Sequence, residues 1–160
     1  MTRSPWSAAK AITVGGLTVG ILDGLDAIIF FGLRSGATPQ GIFRGIAAGL
    51  VGRATARAGG LGMALVGVAC HFFIAFSIVT VYYAISRRVR VLARHPFIFG
   101  PLYGIAAYFV MNKVVIPLSA LGPGAAPPWP VFINGLLIHA LGVGLPSALV
   151  AWRALGSAGK

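Results

Sequence analysis

The chain has 160 residues, of which 58% are hydrophobic and only 9% charged. Soluble globular domains carry roughly 25% charged residues, so this composition excludes one. The net charge of +11 comes from 13 Lys and Arg against two acids; no nucleic-acid recognition module accompanies it, so anionic lipid headgroups are the expected partner and nucleic acid is not.

Four apolar runs stand out, at residues 11–33, 61–86, 97–119 and 131–152. Each is near the ~20 residues a helix needs to cross ~30 Å of hydrocarbon. The short alternating strands of a membrane barrel do not occur. The fold class predicted is all-α: an integral membrane bundle of four transmembrane helices, forming a single domain over residues 1–160.

The first run follows Arg3 and Lys10, as a signal peptide's apolar stretch would. It is too long for one and lacks a small-x-small cleavage site, so it reads as an uncleaved first span. It also holds Asp23 and Asp26, the only acidic residues in the sequence. An ionisable side chain at membrane depth is expensive and marks a site or a buried polar network. Gly16, Gly20 and Gly24 repeat every four residues, a pattern that lets helices approach closely in lipid. At ~100° per residue Asp23 projects within that stripe, and Asp26 lies one turn further at its edge.

Residues 39–57 predict an amphipathic helix. Thr38-Pro39 offers a cap followed by Pro at the first helical position. Ile42, Phe43, Ile46, Ala47, Leu50 and Val51 recur at helical spacing, with Arg44, Arg53 and Arg57 between them. This suits a helix lying in the headgroup plane, although Gly41, Gly45 and Gly49 also permit close packing on the bundle.

In the second span Gly67, His71 and Ala75 fall on one i, i+4 line, and Cys70 reads as a small buried hydrophobe rather than half of a disulfide. Phe72, Phe73 and Phe76 read as packing or lipid-facing rings. The cationic stretch 87–94 and a solvated His95 precede Pro96, which opens the third span. There Gly104, Tyr108 and Asn112 share a line, and Lys113 can snorkel to the headgroups. Residues 122–130, rich in Gly and Pro, form a loop. In the fourth span Gly135 and Gly142 flank His139, and Pro146 is expected to kink the helix and free a carbonyl near Gly142. Trp6, Trp129 and Trp152 sit where interfacial aromatics belong.

Depth brings these residues together. At ~1.5 Å per residue, Asp23, Asp26, His71, Asn112 and His139 all lie roughly 10–15 Å from the same ends of their spans. Five polar side chains on four helices are thus expected in one layer. Arg3, Lys10, Arg87, Arg88, Arg90, Arg94, Arg153 and Lys160 share one side, and Arg34, Arg44, Arg53, Arg57 and Lys113 the other. Eight against five puts both termini in the cytoplasm.

Carboxylates and imidazoles relay protons inside membranes, so the cluster suggests proton or cation handling in transport. Four helices leave little room for a pathway, which implies a homo-oligomer or a partner membrane protein. The first alternative is a non-catalytic scaffold or assembly subunit whose network is structural. The second is a metal or haem protein: two His and two Asp suit Zn, Mn or Fe, and His71 with His139 could ligate a haem iron. No HExxH pattern supports a metal, and no cofactor is expected. Ser77, Ser86 and Ser119 lack a Gly-x-Ser-x-Gly setting, and no nucleotide fingerprint is present, so nothing points to an enzyme.

Four stretches, Leu22-Asp23-Gly24-Leu25-Asp26, His71-Phe72-Phe73-Ile74-Ala75-Phe76, Val110-Met111-Asn112 and Asn134-Gly135-Leu136-Leu137-Ile138-His139, resemble those of the numerous four-span bacterial inner-membrane proteins with no established activity. The resemblance implies one membrane domain in a bacterial inner membrane and carries over no functional residue.

Overall fold

A computed structural model describes residues 6–155. Four helices are long and apolar enough to span a bilayer: α1 (Ala8–Ser35), α4 (Gly60–Arg88), α6 (Pro96–Leu118) and α7 (Trp129–Leu155). Between α1 and α4 lie α2 (Pro39–Val51) and α3 (Arg53–Ala58), and the short α5 (Arg90–Arg94) joins α4 to α6. No strand occurs among the described residues, and the protein is an all-α multi-pass bundle. Rows of large apolar side chains lie exposed, such as Leu17, Ile21, Leu25 and Ile29 along one side of α1. A water-facing surface would not tolerate that stripe; acyl chains complete it.

Local chemistry sets the boundaries. Ser7 caps α1 by accepting from Lys10 N at 3.2 Å. Thr38 caps α2 by accepting from Gly41 N at 3.1 Å, with Pro39 at the first helical position as expected. The one helix expected over 39–57 is two, because Gly52 adopts φ 83°, a left-handed conformation that ends α2 and redirects the chain into α3.

Spans consecutive in the chain run antiparallel, and glycines decide how closely they approach. On α1, Gly16 faces the Phe76 ring, Gly20 the Phe72 ring and Gly24 the His71 imidazole, one ring for each missing side chain. Phe73, on the other side of α4, is 74% exposed and faces outward. Between α6 and α7 the contact is backbone on backbone. A Cβ on Gly104 would strike the His139 carbonyl, and one on Gly144 would strike the backbone of Gly100 and Gly104. The last span is the central one, packing on α1, α4 and α6. The core at its terminal half is built of small and aromatic side chains, including Ala148, Ala151, Val79, Tyr82 and Val143. Tyr103 of α6 donates to Ile78 O at 2.7 Å and Tyr82 of α4 to Leu92 O at 3.0 Å, tying three elements at that end.

The break expected at Pro146 takes the form of a widened, π-helical turn over His139–Gly144. Leu145 N–H reaches Ala140 O, five residues back. Pro117 is preceded by the same device over Met111–Val115, where Ile116 N–H reaches Met111 O. A proline lacks the N–H and crowds the carbonyl four residues earlier. One extra residue in the preceding turn lets the helix continue past it, and such turns recur at functional positions.

The helix expected in the headgroup plane is packed on the bundle. Gly67 of α4 meets the backbone of Phe43, Ala47 and Ala48 are buried, and Ala120 N donates to Gly49 O at 2.9 Å. The close-approach glycine is therefore on α4; a Cβ on Gly45 would meet nothing.

Substituting Gly104 with Ala should cost at least about 1–3 kcal/mol of detergent-unfolding stability, because backbone must move to admit the methyl. Gly62→Ala, at a helical position facing open space, should instead be neutral or stabilising by up to about 1 kcal/mol. Equal thermal melting of the two variants would contradict the backbone contact.

Candidate functional site: two polar pairs on the first span

The site is organised by α1. Its two acids are three residues apart, about 60° around the helix, and each meets a different neighbour.

Asp23 faces α4. His71 is buried, with an 8% residual exposure, and its Nε2 lies 2.8 Å from Gly20 O on α1. Its Nδ1 lies 3.9 Å from Asp23 Oδ2. Gly24 makes room for the ring, since any side chain there would press on Nε2. The rings of Phe43 and Phe72 close on it edge to face, with centroids 5.9 and 5.5 Å away. One imidazole is thus enclosed by two glycines, two phenyl rings and a carboxyl.

That geometry fixes where a proton sits. A carbonyl oxygen only accepts, so Nε2 is the protonated nitrogen and donates to Gly20 O. Neutral His71 would then turn a bare Nδ1 lone pair toward Asp23. A lone pair beside an ionised carboxylate is repulsive unless a water donates to both or a proton lies on Nδ1 or on the carboxyl. The 3.9 Å gap is too long for a direct hydrogen bond and suits an ionic contact or a bridging water.

Asp26 faces α7. Asn134 Nδ2 donates to Asp26 Oδ2 at 2.8 Å, linking the first and last spans. Asp26 also lies within electrostatic reach of Asp23 and His139.

The five side chains expected in one layer are divided. Asp23 and His71 meet, and Asp26 meets Asn134, a residue not among the five. His139 places Nδ1 2.9 Å from Gly135 O of its own helix, and its ring lies edge-on to Tyr108, 5.3 Å between centroids. Asn112 likewise donates to Tyr108 O on its own helix at 2.9 Å. Both satisfy themselves locally four residues back, so neither makes a cross-helix hydrogen bond. Among the described residues no three His, Cys, Asp or Glu side chains converge as a metal-holding group. His71 has Nε2 on Gly20 O and Nδ1 toward Asp23, whereas His139 keeps Nε2 outside its hydrogen bond; the two imidazoles have different surroundings.

Asn134 was legible in one respect: it is the first amide on the fourth span, near the end that meets the last turns of α1. Its face could be assigned only once α7 was known to cross α1.

Fold and site together define a multi-pass helical membrane protein with two ionisable polar contacts carried on its first span. No protein-family model, curated protein or solved structure matches the chain.

The Asp26–Asn134 contact should show up as a coupling of about 0.6–1.7 kcal/mol in a double-mutant cycle of Asp26→Ala and Asn134→Ala, the range of interhelical hydrogen bonds in membranes. The cycle of Asp23→Ala with Asn112→Ala should couple by less than about 0.3 kcal/mol, since these residues make no contact. Unfolding in mixed detergent micelles reads both.

Proposed function

We propose that the protein handles protons within the bilayer of a bacterial inner membrane, both termini cytoplasmic, and couples them to the movement of a cation or small solute. The observation that carries this reading is the fixed His71 ring: Nε2 committed to Gly20 O and Nδ1 turned on Asp23. Such a pair can take up one proton between its two groups, and the resulting states differ in local charge separation.

Magnitudes favour a switchable pair. An ionised side chain at the centre of a membrane helix costs about 2.5–3.5 kcal/mol. Two unit charges about 4 Å apart attract by about 4 kcal/mol at an effective dielectric of ~20. Two such charges cost about 5–7 kcal/mol against this attraction, a difference of only a few kcal/mol that hydration or a nearby cation can reverse, deciding which group holds the proton. Asp23 is 29% exposed along its side chain while His71 is enclosed, so water or a cation would approach from the carboxyl side. Asp26 and Asn134 then supply a second polar station one helical turn further, between α1 and α7. In this reading a homo-oligomer or a partner membrane protein completes the pathway that four spans cannot enclose, and the flanking Lys and Arg meet anionic headgroups.

One observation favours a second reading, a scaffold or assembly subunit with a structural network. Asp26 and Asn134 make a closed cross-helix hydrogen bond that holds α1 against α7. The readings part at Asp23, whose contact with His71 is not a direct hydrogen bond and contributes little as a clamp.

In proteoliposomes with an imposed pH gradient, the wild type should acidify or alkalinise its lumen faster than empty vesicles. Asp23→Asn and His71→Gln should fall to the empty-vesicle rate, and Asn112→Ala should keep the wild-type rate. Flux that survives Asp23→Asn, or is missing from the wild type, would leave the scaffold reading standing.

A further inference from the structure

We infer that the turn between α2 and α3 holds an anion-binding site for a phosphate group, either free or on a lipid headgroup. This does not depend on proton handling at Asp23.

A cavity of about 340 Å³ opens there, within the size range of ligand sites. Arg44, Arg53 and Arg57 line it, with Gly41, Gly45 and Leu121 completing the wall. Three arginines contributing to one concavity place like charges near one another, which an anion there would offset. The chain has no acid to supply: its only carboxylate side chains, Asp23 and Asp26, are engaged at mid-span. Arg44 is oriented from within, as its Nη1 donates to Arg57 O at 3.2 Å. Its Nε is buried with no hydrogen-bond partner among the described residues. A buried donor on a charged group left unsatisfied is costly. An anion in the cavity would offset the charge on this under-satisfied guanidinium by accepting from its outer N–H groups, since guanidinium donors match phosphate oxygens in pairs.

The glycines of α2 fit the same reading. Gly41 and Gly45 line the cavity, and the space where Gly45 would carry a Cβ is open. They leave volume beside the arginines instead of bringing helices together. The far wall is pinned as well, because Ala120 N on Gly49 O holds the loop carrying Leu121 against α2.

The test uses the full chain in phosphatidylcholine nanodiscs. One arm titrates inorganic phosphate by calorimetry; the other incorporates phosphatidic acid in the discs and counts retained lipid by native mass spectrometry. Saturable binding is expected in at least one arm, and the responding arm identifies the source of the phosphate. Arg44→Gln should weaken it by about tenfold or more, the value of one lost charge-assisted hydrogen bond. Gly45→Leu fills the cavity, keeps every charge and faces open space, so it tests the site even where Arg44→Gln fails to fold; it should abolish binding. Arg87→Gln at the opposite end of the bundle should bind as wild type. Binding absent from both arms, equal in wild type and Gly45→Leu, or lost equally in Arg87→Gln overturns the assignment.

Discussion

Lipid is as apolar as leucine, so burying leucine between two transmembrane helices gains little; association comes from van der Waals contact and from hydrogen bonds that cross between helices. Both require the helix axes to come close, and in this bundle closeness is delivered by side chains that are missing. Gly104 and Gly144 put α6 and α7 backbone to backbone, and Gly67 does the same for α4 and α2. Gly16, Gly20 and Gly24 receive three rings from α4. The third of these contacts lets the candidate site form without strain: a Cβ at Gly24 would press on His71 Nε2 at 3.3 Å and push the imidazole away from Gly20 O.

The first span therefore has two functions that coincide on one surface. It is the packing partner of α4, and it carries both of the chain's acids. Because Asp23 and Asp26 are about 60° apart around the helix, one is directed at α4 and the other at α7, the two spans that flank α1. Rotating α1 by that angle would turn one acid toward the other's partner and carry the second away from both. The glycine row prevents this, since the rings of Phe72 and Phe76 fit only where a side chain is absent. Packing thus fixes the electrostatics, and the carboxyls add to a register already set by shape.

Much of this was readable in the sequence, for physical reasons. Spans announce themselves because ~20 apolar residues in a row have few other uses. The α2 start was legible because Thr38 and Pro39 act through local bonds. The polar centre was legible as a depth, because rise per residue is fixed, and the Asp23–His71 meeting follows from depth and face together. Depth alone cannot say what a side chain bonds to. Asn112 and His139 have the right depth, but their helices offer a carbonyl four residues back, nearer than any neighbour. Asn134 could not be paired with Asp26 from sequence, because its partner is decided by how α7 crosses α1, a tertiary fact. The Gly41, Gly45, Gly49 repeat was ambiguous for a related reason: a row of glycines specifies an absence, and a helix or a cavity can occupy it.

Charge extends the argument to the ends of the bundle. With both acids held at mid-span, none of the 13 Lys and Arg can be neutralised by a side chain at either end. At the terminal end the protein offers other electron-rich groups. Lys10 and Arg153 lie over the Trp6 ring at 5.0 and 5.7 Å, and Arg90 donates to Leu155 O at 3.2 Å. These contacts suit cations that remain hydrated or lie among headgroups. At the other end, Arg44 has a single carbonyl and a buried donor with nothing to bond. The two ends thus differ in kind as well as in number: Arg3 and Lys160 lie outside the described residues, leaving six cations at one end against five at the other. With so small a numerical bias, what distinguishes the two ends physically is how each satisfies its guanidiniums. One turns Lys10, Arg153 and Arg90 onto a π face and a carbonyl of its own chain, and the other sets Arg44, Arg53 and Arg57 around a cavity.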